Sequence, residues 1–478
     1  MAKMDYNLVA IGAGAAGLVT SYIGAVSKAK VALVEKHRMG GDCLYTGCVP
    51  SKALISNAKV VKTLKEHEAF GLENVQYSVN FSQVMERIQE IIRKIEPHDS
   101  IERFTRLGVD CYQGEAKLIS PHELKINEKI ISARNIVIAT GARPYIPPIP
   151  GIETLDYLHS DNLWDLRELP KRLLVVGGGP IGCELAQAFG RLGSEVTVMD
   201  LLPTIMPRED PEIVKFVIDA FEEDGIRILT GVKLVRFEKG ENEDRVIYEN
   251  AGYEEELSFD RVIIATGRKA NSQGFGLEEL GLALNPNGTI KVDPYLRTSQ
   301  PNIYACGDVA GPYQFTHMAA HQAWYCAVNA LLSPFKKFRV DYSVVPWCTY
   351  TDPEVARVGL SETEAKAQNI PYELSTYGLD DLDRAITEGE DSGLIKVLTV
   401  PGKDRIIGAV ICGYHAGDLL AEFVLAMKHG LGMNKILGTI HSYPTFSEGA
   451  KYAAGEWKKA HVSENLLKWV EKFHQFRR

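Results

Sequence analysis

Residues 6–36 read YNLVAIGAGAAGLVTSYIGAVSKAKVALVEK, and residues 172–200 read RLLVVGGGPIGCELAQAFGRLGSEVTVMD. Each opens on an apolar run of strand length, breaks at a glycine cluster, passes through a stretch of helical length and returns to an apolar run that ends on an acid. Gly12, Gly14 and Gly17 give a G-x-G-x-x-G spacing, and Gly177, Gly179 and Gly182 repeat it. The first glycine of each set permits a tight turn, the second lets a pyrophosphate approach the backbone, and the third lets helix and strand pack closely. Glu35 and Asp200 close the second strands, where a carboxylate accepts hydrogen bonds from an adenosine ribose. Two βαβ units in one chain predict an α/β protein with two Rossmann-like domains. They imply two dinucleotides, most economically a tightly held flavin and an exchangeable nicotinamide. Asp200 suits a free 2′-hydroxyl and repels a 2′-phosphate, and no arginine follows until Arg208, so NADH is expected over NADPH.

With 478 residues the chain has room for several domains of roughly 100 to 200 residues each. A formal charge of −9 argues against nucleic acid as partner, because phosphate binding needs a concentrated basic surface. The opening MAKMDYNLVAIGAG leaves no room for a signal peptide, and no apolar run approaches the roughly 20 residues that cross a bilayer. A reducing cytoplasm is the expected compartment, and there a close cysteine pair is more often catalytic than structural. Such a pair occurs in GGDCLYTGCVPSKALI, residues 40–55, as Cys43 and Cys48, while the other six cysteines are scattered singly. That scatter offers no metal-ligand pattern, and no metal site is expected. A thiolate near a helix N-terminus is stabilised by aligned backbone N–H groups, and Pro50 suits a first helical turn.

The Gly12 fingerprint, the C-L-Y-T-G-C-V-P-S-K stretch, the A-T-G turns at 139–141 and 265–267, the Gly177 fingerprint and the Y-A-C-G-D of 304–308 follow one another in a familiar order. In this the chain resembles the class I pyridine nucleotide-disulfide oxidoreductases, which include dihydrolipoamide dehydrogenase, glutathione reductase and mercuric reductase. The resemblance implies an FAD-binding domain at 1–150 that returns at 281–345, an NAD-binding domain at 151–280, and a C-terminal α+β dimerisation domain at 346–478. It implies FAD contacts at Gly12, Gly14, Gly17, Glu35, Gly41, Thr140, Gly141, Gly307 and Asp308, and NAD contacts at Gly177, Gly179, Gly182, Asp200 and Gly267. By the same resemblance Cys43 and Cys48 form the redox disulfide, Cys48 facing the flavin and Cys43 attacking substrate. Lys52 lies by the flavin ring, paired with Glu184.

In disulfide reductases of this family a histidine in an H-P-T-x-x-E stretch is donated across the homodimer to the substrate side. Here residues 439–449 read TIHSYPTFSEG, which puts Tyr443 at the histidine position and Glu448 five residues on. Tyrosine, with an ordinary pKa of about 10, is a poor base at neutral pH but a usable donor or ligand. His441 is two residues earlier, and in an extended segment it would project to the same side, as a displaced base or as a histidine satisfied in the interface. Mercuric reductase also carries a tyrosine at the Tyr443 position and resembles the chain at Thr351–Pro353, but its C-terminal cysteine pair has no counterpart after Cys412. Pro180 replaces a tyrosine that covers the flavin in glutathione reductase, and Cys348 has no assigned counterpart.

The expected activity is that of a homodimeric, FAD-dependent NAD(P)H oxidoreductase of EC 1.8.1 or 1.16.1 type. It would pass electrons through Cys43 and Cys48 to a thiol, a disulfide or a thiol-bound soft metal such as Hg(II), in the manner of mercuric reductase. The alternatives are a dihydrolipoamide dehydrogenase-type enzyme using His441 as base, and a non-catalytic redox sensor or complex subunit. The segment SENLLKWVEKFHQFRR, residues 463–478, has an apolar face with basic neighbours, suited to its own dimer, a partner or a membrane surface.

Overall fold

The computed structural model describes residues 3–241 and 243–478. They form two compact units, one of residues up to Leu201 together with Ile228–Asp341, the other of Leu202–Arg227 with Tyr342–Arg478.

In the first unit the strands Val109–Gln113, Val31–Glu35, Tyr6–Ile11 and Lys129–Ile138 lie side by side and parallel, and Ile303–Ala305 pairs parallel with the last of them. Val9 stands level with Ala32 on one side and Ile136 on the other, so the middle strand is covered on both edges. Its residues Leu8, Val9 and Ala10 are fully buried. That is why these strands read as unbroken apolar runs rather than as alternating ones. A second parallel sheet is built the same way from Glu195–Asp200, Arg172–Val176 and Arg261–Ile264.

The two fingerprints pack identically. Gly12 has φ +98°, and a Cβ there would lie 2.4 Å from the carbonyl oxygen of Ala139. Gly177 has φ +112°, and a Cβ there would lie 2.5 Å from that of Ala265. Each first glycine is therefore pressed against the alanine of an A-T-G turn, which explains the pairing of these distant motifs. Just beyond both turns, Ala142–Pro144 and Arg268–Ala270 form a two-stranded antiparallel ribbon.

The second unit contains a five-stranded antiparallel sheet in the order Pro346–Thr349, Glu354–Gly359, Ile406–Gly413, Leu394–Thr399, Glu373–Gly378. One face of it packs on the helices Ala416–Lys428 and Glu448–Ala460 through Ala356, Val358, Ile395, Val397, Phe423 and Trp457. Residues alternate across a sheet, so Arg357 and Lys396 project from the opposite face. Both are nonetheless buried, at 1% and 0% exposure. Among the described residues no helix is long and apolar enough to cross a membrane.

Candidate active site

The cysteine pair is positioned by three glycines. Gly40 and Gly41 have φ of +114° and +63°, and a Cβ on Gly41 would come within 2.6 Å of the Gly14 Cα. The turn carrying Cys43 is thus held directly against the first fingerprint. A short helix, Gly41–Tyr45, bears Cys43, and Gly47 then caps the helix Cys48–Lys65, so that Cys48 occupies its first position. Cys48 is exposed and Cys43 half-buried.

The Cys48 thiol is pulled down to about 6, first by the hydrogen bond it shares with Cys43, then by Thr316 and the Lys52 charge, against the opposing effects of burial and Glu184. Cys43 moves the other way, because its hydrogen bond with Cys48, burial and the ionised neighbour all favour its protonated form. At neutral pH the dithiol therefore holds one thiolate, centred on Cys48. The Thr316 hydroxyl lies 3.3 Å from the Cys48 sulfur. Lys52 Nζ, one turn along the helix, donates to Glu184 Oε2 at 2.7 Å, and Glu184 is buried in the helix Pro180–Leu192.

The surrounding backbone fits a dinucleotide. Nothing but the Gly41 Cα, at 3.8 Å, stands near the place a Cβ would take on Gly14, and nothing lies within 4 Å at Gly179, leaving both cradles open to a phosphate. Glu35 accepts N–H bonds from Ala13 at 2.7 Å and His37 at 2.8 Å, fixing its carboxylate at the strand end. Beside it a cavity of ≈ 570 Å³ is lined by Arg38, Tyr45, Glu96 and Gln113, room enough for the adenosine half of a dinucleotide. Asp200 Oδ2 accepts the Gly178 N–H at 2.6 Å, the same arrangement in the second fingerprint.

Arg268, two residues after the second A-T-G threonine, pairs with Asp42 and lies 3.6 Å from Asp308. Burial pushes both carboxyls up, and the guanidinium opposes it. The Arg268 Nε is buried and makes no hydrogen bond, facing Asp308 Oδ2 at 3.6 Å. Gly307 lies where the helices Ala15–Val26 and Thr316–Leu332 converge, with the Cβ atoms of Ala16 and Ala319 3.3 and 3.4 Å from where its own would be. Thr140 donates to the carbonyl of Asn271 at 2.7 Å, and Gly141 and Gly267 take positive φ.

In the second unit, Tyr443 is exposed and donates to Asp383 Oδ2 at 2.9 Å. That carboxylate raises the phenol's pKa, so Tyr443 is a neutral donor. His441, two residues earlier, is in a segment that forms no strand, and its ring turns inward: Nε2 stands 3.0 Å from Glu422, and Nδ1 3.1 Å from the Thr439 carbonyl. Both ring nitrogens are engaged, and the two side chains share no partner. Glu448 is buried at the start of its helix, accepting the Thr445 N–H at 3.3 Å and the Tyr452 hydroxyl at 3.4 Å.

Residues 6–323 match the pyridine nucleotide-disulphide oxidoreductase family, and residues 345–454 match its dimerisation domain. The chain belongs to this family. It is a flavoprotein oxidoreductase with two Rossmann-like domains, and FAD and NAD(P)H are the family's cofactors. Dihydrolipoyl dehydrogenase from Chlamydia trachomatis is 36% identical over 449 residues, spanning 93% of this chain and 95% of that protein. Mercuric reductase from Staphylococcus aureus is 34% identical over 450 residues, spanning 94% of this chain and 82% of that protein. Among solved structures, the HOCl-induced flavoprotein disulfide reductase RclA from Escherichia coli aligns with a TM-score of 0.84 at 28% identity, covering 94% of this chain and 99% of that one. A Cu(II) complex of the same protein aligns with a TM-score of 0.83.

Several residues at these sites escape a reading of the sequence. Thr316 reaches Cys48 across 268 positions of chain, and Arg268 reaches Asp42 across 226. Asp42 offered one signal, an acid between a glycine pair and a cysteine. Asp383 and Glu422 offered none, since single acids in helices are common everywhere.

Proposed function

We propose that the protein uses NADH to reduce a thiophilic metal ion, Hg(II) or a copper ion held by thiols, through Cys43 and Cys48. The observation that carries this reading is the Tyr443 hydroxyl, held by Asp383 as a neutral donor at the place where disulfide reductases present a base. Thiol exchange needs a proton taken from each attacking thiol and returned to each leaving thiolate. Reduction of a metal by two thiolates needs neither. The mercuric reductase relative, named for reducing a thiophilic metal, and the Cu(II) complex of RclA, which holds one, support this reading.

Bound FAD would supply two-electron transfer between NADH and the cysteine pair. On the substrate side, Cys43 and Cys48 bind the metal as thiolates and close to a disulfide, releasing two electrons, both to one Hg(II) or one each to two Cu(II) ions. In this scheme Lys52 and Glu184 set the charge beside Cys48, and Tyr443 of a second copy orients the ligand. Residues 1–150 and 281–345 hold FAD, 151–280 hold NAD, and 346–478 make up the domain through which the homodimer forms, in a cytoplasmic enzyme. A second reading, oxidation of a lipoyl-type dithiol, draws on one specific feature, the hydrogen-bonded His441 and Glu422 pair, which has the composition of a base and its orienting acid.

Anaerobic turnover of the flavin-loaded enzyme separates the two. On thiol-complexed Hg(II), Tyr443→Phe is expected to slow NADH consumption by roughly 10- to 100-fold while His441→Ala has little effect. Fast lipoamide turnover that collapses in His441→Ala and survives Tyr443→Phe would replace the metal reading with the dithiol one. For the nicotinamide, the Asp200 carboxylate is expected to give NADPH a KM at least about tenfold above that of NADH. Equal constants for the two would refute that assignment.

A further inference from the structure

The last helix, Glu464–Arg477, lies beyond residue 454, where the family match ends. Ser463 caps it, its hydroxyl accepting the Leu466 N–H, yet none of its residues is buried. Leu466, Trp469, Phe473 and Phe476 are 55%, 63%, 42% and 89% exposed. At about 100° per residue, these four and Val470 fall on one side of the helix, while Glu464 and Glu471 fall on the other. Lys472 borders the apolar side, Arg477 falls within it, and Leu467 and Lys468 fall with the acids, Lys468 Nζ standing 4.0 Å from Glu464 Oε2. The rings of Trp469 and Phe473 stack at 5.8 Å, and the Arg477 guanidinium stands 5.6 Å from the Phe473 ring, so the exposed aromatic line is already ordered.

We propose that this helix docks in the interface of an anionic lipid bilayer. With Lys468, Lys472, Arg477 and Arg478 against Glu464 and Glu471, residues 464–478 carry +4 − 2 = +2 on a chain of −9. The acids point away from the apolar side, while Lys472 stands at its edge and Arg477 within it, an arrangement that complements anionic headgroups above acyl chains. Pairing with the same helix of a second copy would set +2 against +2. At about 1.5 Å per residue the 14-residue helix is roughly 21 Å long, short of the roughly 30 Å hydrocarbon core, so it lies in the surface and does not cross.

The test is co-sedimentation of the full-length, flavin-loaded enzyme with vesicles of phosphatidylcholine alone or containing about a third phosphatidylglycerol. The wild type is expected to sediment with the anionic vesicles only. Trp469→Glu with Phe473→Glu should abolish sedimentation, and Lys472→Gln with Arg477→Gln should weaken it about 25-fold, at about fivefold per charge. NADH-to-quinone turnover of all variants should match wild type, which verifies that they are folded. Failure of the wild type to bind anionic vesicles overturns the proposal, as does equal binding to neutral ones. A fall in oligomer mass in Trp469→Glu with Phe473→Glu also overturns it, because the face would then cover a second copy.

Discussion

Cys43→Ser and Cys48→Ser should each reduce NADH-dependent turnover of a thiol-bound metal by at least about a thousandfold, because neither a lone thiol nor a serine hydroxyl can close a disulfide and release two electrons. Reduction of quinones by NADH, which needs only the bound cofactors, should survive in both variants. That split distinguishes loss of the cysteine relay from loss of folding or of flavin. It also tests the sensor alternative, since a protein acting only by binding would keep its role in Cys43→Ser. The two cysteines are not equivalent. Cys48 opens the long helix Cys48–Lys65, within 3.3 Å of Thr316 and one turn from Lys52, whereas Cys43 is in a helix of five residues. The ultraviolet difference between reduced wild type and Cys48→Ser, followed anaerobically with pH, should therefore titrate near 6. Removing the hydroxyl in Thr316→Ala takes away a bond to the charged form, so the midpoint must move up. A midpoint near the ordinary thiol value of about 8.5 in wild type would mean that the pair is not poised as described.

What was legible in the sequence and what was not divide along a physical line. The glycine fingerprints could be read because their constraints are local: Gly17 must lack a Cβ since one would lie 1.7 Å from the Gly12 carbonyl oxygen, five residues away. The cysteine pair could be read because both thiols and their helix N-terminus fall within one short stretch. The environment that tunes them could not. Thr316 and Arg268 act across the fold, and no periodicity reports which side chains a tertiary structure brings together. His441 and Tyr443 illustrate the same limit. An extended segment would have aimed them to one side, but the backbone there is irregular, and each side chain follows its own carboxylate, Glu422 or Asp383. Lys396 is the plainest case, since a lysine between two apolar residues of a strand ordinarily signals a solvent-facing position.

Lys396→Met should destabilise the second unit by about 3–5 kcal/mol, the usual cost of leaving buried charge without its partner. Lys396 Nζ contacts Glu212, Asp210 Oδ2 at 2.9 Å and Glu362 Oε2 at 3.1 Å, a triplet of acids whose charge it meets. Arg357 occupies the same cross-strand row, with Val410 between the two cations. Into this row fits the dipeptide Glu209-Asp210, Glu209 facing Arg357 at 3.4 Å and Asp210 facing Lys396. Asp210 also accepts the N–H groups of Glu362 and Thr363 at 3.1 and 2.9 Å, capping the helix Glu362–Ala367. The stretch Leu202–Arg227 is thereby fastened to a sheet more than a hundred residues away in sequence. Burial alone would push Asp210 up, but the bonds from Lys396 and Thr363 prevail and hold it at about 2, below its ordinary 3.8. A depressed folded-state pKa means that this carboxylate stabilises the fold fully above about pH 4 and loses that contribution as pH falls toward 2. In Lys396→Met burial goes unopposed by the lysine, so the Asp210 carboxyl moves up and its protonation should return part of the lost stability as pH falls toward about 4, above the range in which wild type loses its own. Denaturant midpoints measured from pH 7 down to about 3 would show the variant rising toward pH 4 while wild type holds level and then falls. Parallel curves, or a variant within about 1 kcal/mol of wild type at neutral pH, would mean that the sheet and its helices hold this unit without the charged row.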